Sequence, residues 1–215
     1  MLAAVRSLSG NRKKAAAALK LGASQLFEVD RNRAVRHSPV MAAMDRYTGV
    51  LYEALDAESL AAGARDFAAR HVIIHSALFG LLRANDPIPA YRLSHDSRLP
   101  AHPLGRSWRG PVTAELGTLV QNHAEPELIL DLRSESYVAL GTAPEKALFL
   151  RVVTDADGGT RRALNHFNKK GKGEFLRAIL LAGVDHPDAD SLVRWAAAAG
   201  IRLAKGSTGE LELVV

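Results

Sequence analysis

The stretch that most restricts what this chain can fold into is LFGLLRANDPIPAYRL, Leu78 to Leu93. Pro87 and Pro89 fix φ at two positions, remove two backbone donors and push the residues before them towards extended conformations. The stretch reads as an apolar segment and a helix-like turn that run into a rigid loop. On it Arg83, Asp86, Tyr91 and Arg92 are held in place. Polar side chains gathered on a stiff loop are where function commonly sits. The structural alternative is a turn whose arginines are solvated or paired with Asp86 and Asp96.

Apolar residues make up 47% of the 215, enough for a packed core and too many for a disordered chain. The absence of cysteine excludes disulfides, thiolate metal sites, cysteine nucleophiles and thiol-based sensing by this chain. No apolar run approaches the roughly 18 residues that span a bilayer, and the N-terminus lacks the apolar core of a signal peptide. A soluble cytoplasmic protein with no membrane partner is the expectation. His71 and His75 stand four apart, but on a β-branched run that reads as a strand, with no third ligand nearby. Neither a metal nor a cofactor is expected.

Charge is unevenly spread. Residues 1–50 carry nine Lys/Arg against three acids, a net +6, and residues 161–177 carry six against one, a net +5. The whole chain is only +5, so the remainder is acidic at −6. Two basic islands in an acidic background point to a partner with extended negative charge, such as nucleic acid. Each island taken alone also fits a solvated helix face.

Along the chain, NRKKAAAAL (Asn11–Leu19) has high helix propensity with Asn11 as N-cap. Leu21-Gly22-Ala23 then leads into a second helix towards Val35. This is the pattern of a helix–hairpin–helix over residues 11–36, in which Gly22 lets backbone approach a phosphate, with Lys13, Lys14 and Lys20 beside it. A helix simply ended by glycine reads the same way. Val40–Leu55 reads as a helix interrupted at Thr48-Gly49, Asp56 as the cap of another helix, and His71–Ala77 as a buried strand. A helix is expected from Trp108 to about Asn122, then a strand at Leu128–Leu132 running into a Ser-rich turn with Ser134 and Tyr137. Polar groups at a strand's carboxyl end make an anion or sugar site. Ala147–Thr154 and Thr160–Phe167 form a hairpin around Asp155–Gly159. The segment Asn168-Lys169-Lys170-Gly171-Lys172-Gly173 reads as a turn before a helix, a phosphate grip without Walker A spacing. Leu192–Ala199 is helical, and two strands around Gly206–Gly209 close the chain. The fold class expected is α+β: a single compact domain over residues 1–215, with a central mixed sheet and flanking helices.

The set YTGVLYEALDA, SALFGLLRANDPIPAYRL, LDLRSESY, HFNKKGKG and GSTGELELVV, in this order, resembles the bacterial peroxide-stress protein YaaA family. In the central stretch Arg83, Asp86, Pro89, Tyr91 and Arg92 occupy matching places, with Phe79 for the family's tyrosine and Ala84 for its proline. Ser134 and Tyr137 match the family's Ser/Tyr pair, although Arg133 replaces an alanine. Lys169, Lys170 and Gly173 match its lysine turn, with Lys172 standing for an arginine. The family's opening strand and loop have no counterpart before Arg12. The resemblance implies a mixed α/β fold with a basic cleft and a helix–hairpin–helix-like element. It also implies duplex DNA binding and the limiting of iron-dependent oxidative damage under peroxide.

Two functions are therefore expected to compete. In the first, Lys13, Lys14, Lys20, Gly22, Arg83, Arg92, Lys169, Lys170, Lys172 and Gly173 hold the phosphates of double-stranded DNA without reading sequence, the arginine loop and lysine turn sharing one cleft. In the second, an enzyme acts on a nucleotide-like or phosphorylated small molecule in that cleft. Asp86, Tyr91, Arg92, Ser134 and Tyr137 then supply proton transfer and charge stabilisation. A third reading makes these residues a network that only fixes the fold.

Overall fold

A computed structural model describes residues 1–121, 128–155, 161–163 and 167–215. In chain order the helices are α1 (Leu2–Ser9), α2 (Arg12–Leu19), α3 (Phe27–Ala34), α4 (Ala43–Arg46), α5 (Val50–Leu55), α6 (Ala62–His71), α7 (Leu104–Gln121), α8 (Glu135–Val138), α9 (Phe167–Ala182) and α10 (Ala189–Ala198). The strands are β1 (Val40–Ala42), β2 (Ile73–Ser76), β3 (Gly80–Arg83), β4 (Pro87–Pro89), β5 (Leu130–Asp131), β6 (Leu148–Asp155), β7 (Arg161–Ala163), β8 (Leu203–Lys205) and β9 (Glu210–Val214). The fold is α+β. The chain divides into two compact units, each drawn from three separate segments.

The first unit comprises Met1–Arg46, Ala69–Glu115 and Ser134–Thr142. Its α2 forms as the alanine run dictates: the Asn11 side chain accepts from the Lys14 amide at 3.0 Å, capping the first turn. The helix stops at Lys20, a lysine in the left-handed region (φ 55°), and the Leu21 amide reaches back to the Ala16 carbonyl at 2.9 Å. β2 and β3 form an antiparallel hairpin, Ser76 opposite Gly80. The buried Ser76 Oγ accepts from the amides of Leu78 and Phe79 and so builds the turn. Gly80 has φ +82°, and a Cβ there would lie 2.9 Å from the Trp108 ring, whose Nε1 donates to the Ala77 carbonyl. Val5, Leu19, Val29, Leu78, Leu93 and Leu104 form the core of this unit.

Three expectations fail here, two of them because strand pairing overrides the local pattern. Val40–Ala42 is a strand rather than the start of a helix, because it pairs antiparallel with Pro87–Pro89. The helix-like turn after Leu78 is instead strand β3, paired with β2. The α7 helix starts at Leu104, not Trp108, and carries Pro111 in its interior; its expected end at Asn122 lies outside the described residues.

The second unit comprises Tyr47–Ala68, Leu116–Arg133 and Ala143–Val215. Its sheet runs β5-β6-β9-β8, with β7 on β6 as well. The sheet is mixed: β6 is parallel to β5 and β9 and antiparallel to β7, and β8 is antiparallel to β9. The β6–β7 hairpin is present, Val153 opposite Ala163, whereas the turn residues 156–160 and residues 164–166 lie outside the described residues. Leu150, Val152, Leu211 and Leu213 alternate along β6 and β9 and pack with Phe175, Leu192 and Ala196 of α9 and α10. Each such leucine, valine or phenylalanine, fully buried, contributes about 1.5–3 kcal/mol. Asp56 starts no helix through its side chain: it closes α5 in the left-handed region (φ 47°), and its carboxylate accepts from Ser59 Oγ.

Candidate functional site

In the first unit the proline-stiffened segment separates the residues that shape the backbone from those that do not. Asp86 is structural: its carboxylate accepts from the Arg83 amide at 2.8 Å, and its carbonyl accepts from the Ala43 amide. Arg83 is exposed at its tip but donates to the Arg70 carbonyl at 3.1 Å. Tyr91 Oη lies 2.7 Å from Ser76 Oγ and its ring meets Phe79 edge-on. Because Ser76 Oγ already accepts from two amides, its own proton goes to Tyr91, whose phenol therefore acts as the acceptor in that pair.

Arg92 is held differently. Asn32, fully buried on α3, donates Nδ2 to the Arg92 carbonyl and accepts from the Arg92 amide, both at 2.8 Å. Tyr137 of α8 lies between the rings of His75 and His95, at 5.3 and 5.6 Å. Ser134 is exposed and makes no side-chain cap to α8. Sequence reasoning missed Asn32, Ser76, His75 and His95 as neighbours of this segment. An isolated asparagine in a basic helix and a serine ending an apolar strand carry no local signal.

The N-terminal cations of the same unit fall into two groups. Arg12 and Arg33 both reach Asp30, Arg31 pairs with Glu28, and Lys20 lies 2.8 Å from Asp96. The Lys20 ammonium, helped by the Ser94 hydroxyl, holds the Asp96 carboxyl at a pKa of about 2. Lys13 and Lys14 are exposed and meet no carboxylate among the described residues. Gly22 has φ −72°, so the left-handed position of this bend belongs to Lys20 and not to the glycine.

In the second unit the lysine–glycine segment is not a turn. It forms the first turns of α9. Its glycines are there for contact: a Cβ on Gly173 would lie 2.2 Å from the Leu51 carbonyl oxygen and 2.8 Å from Ala54 Cβ, both on α5. Gly171 fits less tightly: a Cβ there would lie 3.1 Å from a Val215 methyl and 3.3 Å from a Val152 methyl. The sequence signal was real, but it reports helix packing rather than a backbone cradle. Lys169 and Lys170 stay exposed, Lys170 lying 3.4 Å from Glu174. Lys172 is 3% exposed; its ammonium donates to the Arg133 carbonyl at 3.1 Å and sits 4.4 Å from the centre of the Phe149 ring. Arg177 donates to the carbonyls of Leu55 and Asp56. Arg133, which stands where the LDLRSESY segment suggested an anion site, is engaged in a two-pronged pair with Asp131 at 2.9 and 2.7 Å.

Thus Arg83, Arg92, Tyr91, Ser134 and Tyr137 belong to the first unit with Lys13, Lys14, Lys20 and Gly22, while Lys169, Lys170, Lys172 and Gly173 belong to the second. Among the described residues no group of three or more His, Asp or Glu side chains is arranged to hold a metal ion. No described helix is long and apolar enough to cross a membrane.

Against this geometry, residues 1–199 match the family model described as peroxide stress protein YaaA. A UPF0246 protein of Corynebacterium glutamicum is 40% identical over 177 residues, covering 81% of this chain and 69% of the relative. A second, from Corynebacterium efficiens, is 38% identical over 188 residues, covering 86% and 74%. A third, from Streptomyces coelicolor, is 36% identical over 184 residues, covering 83% and 68%.

Proposed function

This chain belongs to the peroxide stress protein YaaA family, and we propose that it binds duplex DNA through the phosphate backbone, so limiting iron-dependent oxidative damage to that DNA. The observation that carries this reading is the surface of α2, where Lys13 and Lys14 project into solvent with no carboxylate partner among the described residues. They precede the bend at Lys20 that leads into α3, an arrangement like a helix–hairpin–helix. Cations already paired inside the protein gain little by meeting a phosphate; uncompensated ones release the counterions that drive such binding. Lys169 on α9 is a further exposed cation of this type. The sequence carries no base-reading motif, so affinity is expected to follow backbone charge and not sequence.

The test is a salt titration of binding to a short duplex of arbitrary sequence, followed by fluorescence anisotropy. Lys13→Ala/Lys14→Ala is expected to lower the slope of log K against log salt by up to about 2. No binding by the intact chain at low salt, or a slope identical in the double variant, would remove this face from the interaction.

A further inference from the structure

Strand β1 has an open side. The Ala43 amide donates to the Asp86 carbonyl at 2.9 Å, and the same register sets Met41 opposite Ile88. Hydrogen-bonding direction alternates along an antiparallel pair. Met41 and Ile88 therefore face each other, while the N–H and C=O groups of Val40 and Ala42 point away from β4. The sheet has only these two strands, and among the described residues nothing bonds to the outward groups of Val40 and Ala42.

The two edges of this small sheet are unlike. On β4 the outward positions are Pro87 and Pro89, which have no N–H to offer another strand. On β1 the outward positions keep their donors, and the strand is apolar, with Val40 59% and Met41 45% exposed. Sheet edges are ordinarily blunted by proline, by a charge on the strand or by a covering element. Proline blunts the β4 edge, whereas β1 carries neither proline nor charge. The charge around the open edge is positive. Arg36 and His37 precede it, both exposed, and neither meets a carboxylate among the described residues. Arg46 lies at the same end, donating to the Pro39 and Ile88 carbonyls, and it too has no acid beside it among the described residues.

We propose that β1 is a docking edge for an extended peptide of a partner protein, which adds as a strand antiparallel to Val40–Ala42 and carries acidic residues at its C-terminal end. Main-chain bonds to Val40 and Ala42 supply the grip, and apolar side chains of the peptide cover Val40 and Met41. Antiparallel addition brings the peptide's C-terminal end beside Val40, where its carboxylates meet Arg36 and Arg46. A second copy of this chain fits the edge less well. Pairing β1 with itself about Met41 would bring Arg36 of one copy towards Arg46 of the other, and like charges facing across a strand pair are destabilising. The proposal goes beyond the DNA reading and rests on different atoms, since that reading uses the lysines of α2.

The experiment titrates the full chain into a fluorescein-labelled peptide of alternating valine and threonine that ends in two aspartates, read by anisotropy at fixed salt. Saturable binding is expected. Val40→Pro removes an outward donor, leaves the bonds to β4 in place, and is expected to weaken binding about tenfold. The same peptide N-methylated along its backbone is expected to lose binding, and one ending in two lysines to bind about tenfold more weakly. Arg36→Glu is expected to reverse the preference between the aspartate and lysine peptides. Lys13→Ala/Lys14→Ala is expected to keep peptide affinity while lowering the salt slope of DNA binding, so the two readings fail separately. Where Val40→Pro fails to fold, the N-methylated peptide on the intact chain and the Arg36→Glu exchange decide the matter. No saturable binding by the intact chain, equal binding of the N-methylated peptide, or a loss caused by the lysine variant and not by Val40→Pro overturns the proposal. Dimerisation in sedimentation velocity that Val40→Pro abolishes assigns the edge to a second copy and overturns it as well.

Discussion

The N-terminal helices and helix α9 carry comparable positive charge, yet they dispose of it differently. On α2 the lysines Lys13 and Lys14 sit at the surface and the bend beyond them turns on a left-handed lysine, while Gly22 keeps an ordinary backbone angle. On α9 one lysine of three, Lys172, is buried against Phe149, and both glycines are pressed against neighbouring elements. Two lysine- and glycine-bearing segments, alike in composition, thus differ: one faces solvent, while the other is an internal seam at Gly171, Lys172 and Gly173 that leaves Lys169 and Lys170 exposed. Composition fixes the charge; what the glycine touches decides whether that charge is available to a partner.

The comparison is broken most sharply at the glycines. Gly173→Ala is expected to destabilise the protein by about 3 kcal/mol, since the added methyl meets the Leu51 carbonyl and the packed seam between α5 and α9 must open. Gly22→Ala adds a methyl whose nearest neighbour within 4 Å is the Gln25 side-chain oxygen at 3.8 Å. At its present φ it is expected to be neutral or stabilising by up to about 1 kcal/mol. Urea unfolding of both variants checks this; equal losses would mean that the two segments do the same job.

A smaller effect separates the lysines. Lys172→Ala removes a donor from the Arg133 carbonyl and uncovers the Phe149 face, an expected loss of about 1–3 kcal/mol. Lys169→Ala, at the surface, is expected to stay within about 0.5 kcal/mol and to alter only the salt dependence of DNA binding. Thermal melts beside the anisotropy titration distinguish them.

The smallest effect is an acid limb at the Lys20–Asp96 tie. The folded carboxyl titrates at about 2, below an ordinary aspartate at about 3.9. Its stabilisation is therefore complete above about pH 4 and fades as pH falls towards 2. Both partners are about half exposed, so solvent screening keeps the contribution below about 1 kcal/mol. Asp96→Asn is expected to flatten that part of a stability-against-pH curve; an unaltered curve would show that the tie carries no stability.

Local signals were legible where local physics decided the outcome. The alanine run of α2 with its Asn11 cap, the β6–β7 hairpin, α10 and the two closing strands all follow from propensity and turn chemistry. Segments whose state depends on a distant partner were not. Val40–Ala42 is extended only because Pro87–Pro89 lies beside it, and Asn168–Gly173 is helical because its glycines fit against α5 and β6. The same holds for the candidate site. Tyr91 and Arg92 stand out in the sequence, but Ser76 and Asn32, which hold them, are distant by 15 and 60 positions. Nothing local to a serine or an asparagine announces such a role.

Lys20 adopts a conformation that glycine occupies without strain and other L-residues reach at a cost of about 1–2 kcal/mol. Replacing it by glycine would relieve that cost while giving up a half-exposed tie to Asp96 worth less. A sturdier protein therefore lies one substitution away, at the very bend where an ammonium group now stands. Thermostabilising this chain at position 20 and keeping its cationic face are opposing aims, and an engineer would have to choose between them.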